Sequence, residues 1–348
     1  MTQAQDRAGH WRRALPWIGA LIGIATLAWV LRRFDFDRFV GTIAGTDWRF
    51  VAVMLLAVAG EQFVRAWKWR QLLYAMRPVG TVRLFGAIMA GYLLAFLVPF
   101  GLGTVARSWL VARRERLKLS AVLATVALDR LTDGIVFGCL VPIALLSVVF
   151  PDPTGSIRSG VVWAGASSFV LFTLLLLGLA AYRRDSLREN GRLLRLIDRM
   201  PARMTGAARR VVVSFAEGIT WPRQTWRGVG IVLASVLIKV VTATHFLWAG
   251  LAFGVVLQPA QYLFLIVFLG FLVVLGHFIR VAGSFLIAAV FVLGLFGVAE
   301  EQAFAMALVV QTGTMLLVAV IGALAMWQQG IALADVRAAG VNESVRGQ

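Results

Sequence analysis

Acidic side chains are scarce in this sequence. Only 17 Asp and Glu stand against 34 Lys and Arg in 348 residues, leaving a formal net charge of +17. The single cysteine, Cys139, excludes an internal disulfide, and its place in an apolar run predicts an inert core residue. No set of Cys, His and carboxylates has metal-ligand spacing, and no Walker-type phosphate loop is present, so neither a metal centre nor direct ATP drive is expected. Ser284 follows Gly283 without the rest of a G-x-S-x-G turn, which argues against a serine hydrolase. No cofactor and no catalytic residue is expected. Charged residues make up only 15% of the chain, and no stretch between apolar runs is long enough for a separate soluble catalytic domain.

Apolar residues fill the space: 60% of the chain, with a mean hydropathy of +0.82. Such values predict an all-α, polytopic membrane protein. The arginine clusters sit between long hydrophobic runs, where the positive-inside rule and anionic headgroups account for them better than a nucleic-acid footprint. Membrane lipids are the expected partners, and nucleic acid is not.

A first span is expected over Leu15–Leu31, retained because no small-residue cleavage site ends it. The second, Phe50–Val64, ends in Arg65, Lys68 and Arg70 among aromatics, which reads as an interfacial anchor. Next comes an interrupted segment, Leu84–Pro99 and Thr104–Ala112, broken at Pro99, Gly101 and Gly103 and flanked by basic residues on both sides. Its second limb is too short to cross about 30 Å of hydrocarbon, so a re-entrant hairpin is predicted. Ser120–Phe150 and Val161–Ala181 are spans. Tyr182–Arg227 is the largest basic block; it reads either as amphipathic helices (Leu193–Ile197, Val211–Phe215) on a leaflet or as a solvated loop. Gly228–Phe253 is a span, followed by a second broken pair, Tyr262–Ile279 and Val281–Gly297, interrupted around Gly276 and Gly283, and by a last span, Ala303–Trp327. That second pair reads as a hairpin or as two full spans.

Each half then holds two spans, a hairpin and a span, divided as 1–150, 151–327 and a tail 328–348. An odd number of crossings per half inverts the second half relative to the first and brings the hairpin tips toward the midplane. About six full spans and two broken hairpins result, with both termini cytoplasmic in a bacterial inner membrane.

Asp129, Arg130 and Asp133 lie in the Ser120–Phe150 span, the two acids four residues apart on one helix face. Each such charge costs roughly 2.5–3.5 kcal/mol at the centre of a bilayer, so they should pair or face water. Arg107 on the hairpin is the expected partner. Two readings stand: the four charges neutralise one another and brace the hairpin, or they line a path for a polar headgroup. Glu61 and Arg65, one turn apart, predict a local salt bridge. Lys239, with Thr242, Thr244 and His245, is a further candidate inside a span, against the alternative of snorkelling. His277 and Arg280 at the second break read as an anion site or an interfacial anchor. Gln311, Thr312 and Thr314 read as interhelical glue.

On these residues the chain resembles the transmembrane-region family of lysylphosphatidylglycerol synthases, the flippase-like membrane proteins. The family's first hairpin has the pattern N-x-x-x-P-x-R-x-G-E-x-x-R, matched here by Pro99, Gly103 and Arg107. Its next span carries E-R-x-x-D, matched by Asp129-Arg130-Leu131-Thr132-Asp133 with Asp for Glu. Phe215-Ala216-Glu217-Gly218 resembles its F-x-x-G, and Gly276–Gly283 falls where it has a G-G-x-G-x-x-E hairpin. Gly101 stands in place of the pattern's Arg and Thr104 in place of its Glu, and the second hairpin lacks the paired Gly and the Glu. The resemblance implies a lipid translocase or lipid-handling protein, with hopanoid-associated members as a subgroup. The lysyl-transferase domain is not in these residues, so the chain alone is not expected to aminoacylate a lipid. Two other functions are carried forward: a scaffold whose Tyr182–Arg227 segment docks a soluble lipid-modifying enzyme, and an intramembrane transferase with Asp129 or Asp133 as base.

Overall fold

The computed structural model describes residues 35–97, 102–149, 154–188, 191–199, 202–279 and 283–328, together with Asp152. The first expected span lies outside them, as do Pro99, Gly101 and Arg280. The described residues form twelve helices and no strand. These are α1 (Phe36–Ala44), α2 (Trp48–Leu73), α3 (Thr81–Leu97), α4 (Leu102–Glu115), α5 (Leu119–Ser147) and α6 (Ser156–Ser186). They continue as α7 (Arg192–Ile197), α8 (Ala202–Gly218), α9 (Thr225–Ala252), α10 (Pro259–Ile279), α11 (Ser284–Leu295) and α12 (Glu300–Gln328).

Five of them, α2, α5, α6, α9 and α12, are long and apolar enough to cross a membrane. The protein is a polytopic all-α membrane protein. Long apolar helices are the form such a chain must take, because hydrocarbon offers no partner to an unpaired backbone N–H or C=O.

Helix α2 runs nine residues past the expected end of the second span. Its 26 residues rise about 39 Å, so Arg65, Lys68 and Arg70 lie inside the helix rather than on an interfacial tail. The first broken segment is two helices, α3 and α4, with rises of about 25 and 21 Å. They approach so closely that a Cβ on Gly91 would meet Arg107 Cβ at 2.7 Å and Gly103 O at 2.9 Å. Helix α4 ends at Arg116, a non-glycine residue at φ 55°, and Leu117 N–H donates to Ala112 O at 2.8 Å. The buried Glu115 ties both ends of the hairpin: Arg77 Nε lies 3.4 Å from one carboxylate oxygen and Arg83 Nη1 3.4 Å from the other, while Arg77 Nη1 donates to Glu115 O at 2.6 Å.

The second broken pair, α10 and α11, is unequal, with rises of about 31 and 18 Å. Gly276 is not a break: α10 runs through it to Ile279. The interruption falls just before Gly283, which precedes α11 at φ 74°, a conformation glycine adopts without steric cost. Twelve residues in α11 are too few to span alone, which removes the reading of this pair as two full spans. Cys139 is exposed, not a core residue.

The chain divides into two compact units that interleave the two sequence halves. The first holds Met1–Val58, Cys139–Ala166 and Lys239–Thr314, the second Ala59–Gly138, Ser167–Ile238 and Met315–Gln348. Each unit has one broken pair. The first is packed by aromatics, with Phe264 against Phe296 and Phe268 against Phe291 at 5.8 and 5.7 Å between ring centroids. The second is built on Trp69, Leu72, Leu84, Ile88, Val122 and Ile231, all buried. In it the basic block forms helices α7 and α8. Helix α8 is docked through Tyr182 Oη–H to Val212 O at 3.1 Å, a Ser120–Ser214 hydroxyl contact and the backbone of Gly218 against Ala121. The block is therefore helical and attached to the spans, not a solvated loop.

Candidate functional site

Helix α2 puts Glu61, Arg65, Lys68 and Trp69 along one stretch of about two turns, and α5 puts Thr125, Asp129 and Asp133 at four-residue intervals on one face. Where the two helices pack, these rows become a buried ion-pair chain. Glu61 Oε1 accepts from Arg65 Nη2 at 2.8 Å, and Arg65 Nη1 donates to Asp133 Oδ2 at 3.1 Å. Lys68 Nζ donates to Asp133 Oδ1 at 2.6 Å and to the Asp129 carbonyl at 3.0 Å. It also forms an ion pair with Asp129 Oδ1 at 3.0 Å, off the hydrogen-bond angle. Lys68 is fully buried, at 0% exposure. The local Glu61–Arg65 bridge predicted from spacing is present.

Arg107 does not pair with Asp129 or Asp133, contrary to expectation. Those acids are taken by Lys68 and Arg65, which the sequence reading had assigned to an interfacial anchor. The reason is reach: both cations ride on α2 beside α5, and their long flexible stems meet the carboxylates directly. Arg107 is 2% exposed and makes no ion pair among the described residues. Its guanidinium lies over Trp69, 5.2 Å from the ring centroid, and Trp69 Nε1–H donates to Thr125 Oγ1 at 2.9 Å, which fixes the indole. Neither Nε nor Nη2 of Arg107 has a hydrogen-bond partner among the described residues. Asp129, Arg130 and Arg65 are the charged groups nearest in effect to it.

Arg130 is on α5 next to Asp129, but its side chain is exposed and without an ion pair among the described residues. The described cluster thus sets four cations (Arg65, Lys68, Arg107, Arg130) against three carboxylates (Glu61, Asp129, Asp133), and the two guanidiniums outside the chain of pairs repel each other. A buried guanidinium with unused donors beside a second cation is suited to an oxyanion.

The other candidates lie elsewhere. Lys239 and His245 are on α9 in the first unit, half-buried and buried respectively. Gly103 is in the first turn of α4, in contact with Gly91 O and Ala95. Sequence reasoning missed Arg65, Lys68, Trp69, Tyr92 and Thr125 as members of the site. The available signal was the row of polar residues continuing past Val64 at helical spacing.

Comparison with curated proteins and with solved structures returns no match. A family model described as the lysylphosphatidylglycerol synthase TM region matches residues 17–322. The match reaches the family and no subgroup within it, and it marks a membrane protein of lipid metabolism or handling. With most of its length matched, the chain belongs to the lysylphosphatidylglycerol synthase transmembrane-region family.

Proposed function

We propose that this protein is a lipid translocase of the bacterial inner membrane. It holds the polar head of a membrane lipid at Arg107 while the tails stay in hydrocarbon. It has no catalytic step of its own. One observation carries this reading: Arg107 is buried among apolar helices, with two donor nitrogens unused among the described residues. Leaving a buried charged donor unsatisfied is costly, and a ligand that arrives with an anionic oxygen removes that cost. The ion-pair chain of Glu61, Arg65, Asp133, Lys68 and Asp129 then has a separate task, holding α2 to α5 so that Trp69 and Arg107 keep their places. The element order supports a transporter, since span, broken pair, span recurs in each half among the described residues, as in transporters built of repeats.

The test is transbilayer movement of labelled phospholipids in proteoliposomes. Arg107→Ala should lower the rate roughly ten- to a hundredfold, the equivalent of one charge-assisted contact. Arg107→Lys, which keeps the charge but loses the fork, should lie between. Equal rates in all three proteins would end the proposal.

A scaffold role has one observation in its favour: α8 presents Arg209 and Arg210 outward while Ser214 and Ala216 face the spans. Capture of a soluble lipid-modifying enzyme that is lost on Arg209→Glu/Arg210→Glu, with translocation unchanged, would favour that reading.

A further inference from the structure

Among the described residues the buried part of the charge cluster balances. Arg65, Lys68 and Arg107 stand against Glu61, Asp129 and Asp133, and all six are buried. Arg130, the fourth cation, is exposed. An oxyanion on Arg107 therefore adds one negative charge to a neutral site of low dielectric, where an uncompensated charge is costly. The smallest compensating cation is a proton.

The three carboxylates are not equally placed to take it. Both oxygens of Asp133 are engaged, Oδ1 by Lys68 and Oδ2 by Arg65. Glu61 Oε1 accepts from Arg65 and, at 3.3 Å, from the Gln62 amide. Asp129 shares Lys68 with Asp133, and its Oδ1, 3.0 Å from Nζ, has no hydrogen bond among the described residues. It is also the carboxylate whose charge acts on Arg107. The titratable and charged groups around Asp129 are Arg65 and Lys68 on α2, Tyr92 on α3, Arg107 on α4, and Arg130 and Asp133 on its own helix. An anion on Arg107 cancels the positive charge that Asp129 meets from α4, and a proton on Asp129 restores the balance.

A route for that proton is present. From Leu119 to Gly138, α5 exposes a single residue, Arg130. It lies about 17 Å along the helix from Leu119. An arginine facing hydrocarbon at that depth is costly, so the opening at Arg130 suits water, and it adjoins Asp129.

We infer that the anion at Arg107 and a proton at Asp129 enter the site together, so that translocation is proton-coupled. The inference rests on Arg107 as the headgroup site. The proton passes from water at the Arg130 opening to the Asp129 carboxylate, and returns to water when the anion leaves. A phosphodiester headgroup carries one negative charge, so the loaded site is neutral and the step moves no net charge.

Proteoliposomes carrying labelled phosphatidylglycerol test this, with protein-free vesicles as background. A gradient of about one pH unit should give about a tenfold excess of the lipid in the alkaline leaflet, because one proton accompanies each lipid. A membrane potential set with potassium and valinomycin should leave the leaflet ratio unchanged, whereas an anion crossing alone would follow it. Asp129→Asn should lose the response to the gradient. Asp129→Glu, which keeps a titratable group, should retain it, and thermal unfolding in detergent checks that both variants are folded. If movement depends on Arg107 but the ratio ignores the pH gradient or follows the potential, proton coupling is overturned and the headgroup site stands. If Arg107→Ala moves lipid as fast as the unmodified chain, the headgroup site is overturned and the coupling with it. A folded Asp129→Asn that still follows the gradient would remove Asp129 as the place of the proton.

Discussion

The two broken helical pairs make an instructive contrast. Helices α3 and α4 bring Tyr92 and Arg107 to a buried ion-pair chain, and their outer ends are tied by Glu115. Helices α10 and α11 hold no carboxylate at all and pack through phenylalanine rings. Both pairs are interrupted, yet among the described residues only the first has buried ion pairs beside it. An interruption alone therefore does not call for ionised neighbours. The charges at α3–α4 have a reason of their own, and the anionic guest proposed at Arg107 would supply it.

The contrast can be attacked from either side. The largest effect should come from Lys68→Met, which strands Asp129 in a buried site and leaves Asp133 paired with Arg65. Removing one partner of a buried pair costs about 3–5 kcal/mol, visible as a large loss of thermal stability in detergent. If Lys68→Met unfolds no more easily than the unmodified protein, the chain of pairs is not what holds α2 to α5. Placing a charge in the apolar pair is the converse experiment. Ala289→Asp, at a fully buried position of α11, should cost roughly 2.5–3.5 kcal/mol and cut membrane insertion or yield; full tolerance would mean that α10–α11 also has a hidden cation or water-filled space. A smaller effect is expected from Gly103→Ala. Its methyl would press on Gly91 O and Ala95 Cβ, both 2.5 Å away, at a cost of about 1–3 kcal/mol. Translocation should fall with it if limb spacing positions Arg107, whereas an unchanged rate would separate the hairpin's packing from its function.

Some of this was legible in the sequence for plain reasons. Pro99 and Gly103 interrupt an apolar run, so the first hairpin could be placed, and Asp129 and Asp133 stand out because acids are rare inside such a run. Spacing by one turn was enough to foresee the Glu61–Arg65 contact. Partner choice across the fold was not legible. Lys68 and Asp133 are 65 residues apart, and nothing local distinguishes a lysine ending a span among aromatics from one buried in the next helix interface. Arg107 looked like the missing counter-charge because pairing was argued from charge balance alone. Helix adjacency decides it instead, and it favours α2. Gly276 was misread for a related reason: a glycine is permitted in an apolar helix interior, and only Gly283 takes a backbone angle that demands one.

Glu115 has a mechanical consequence. By pairing with Arg77 and Arg83 it ties the start of α3 to the end of α4. In the proposed translocation, that tie resists separation of the two helix ends at the hairpin's base.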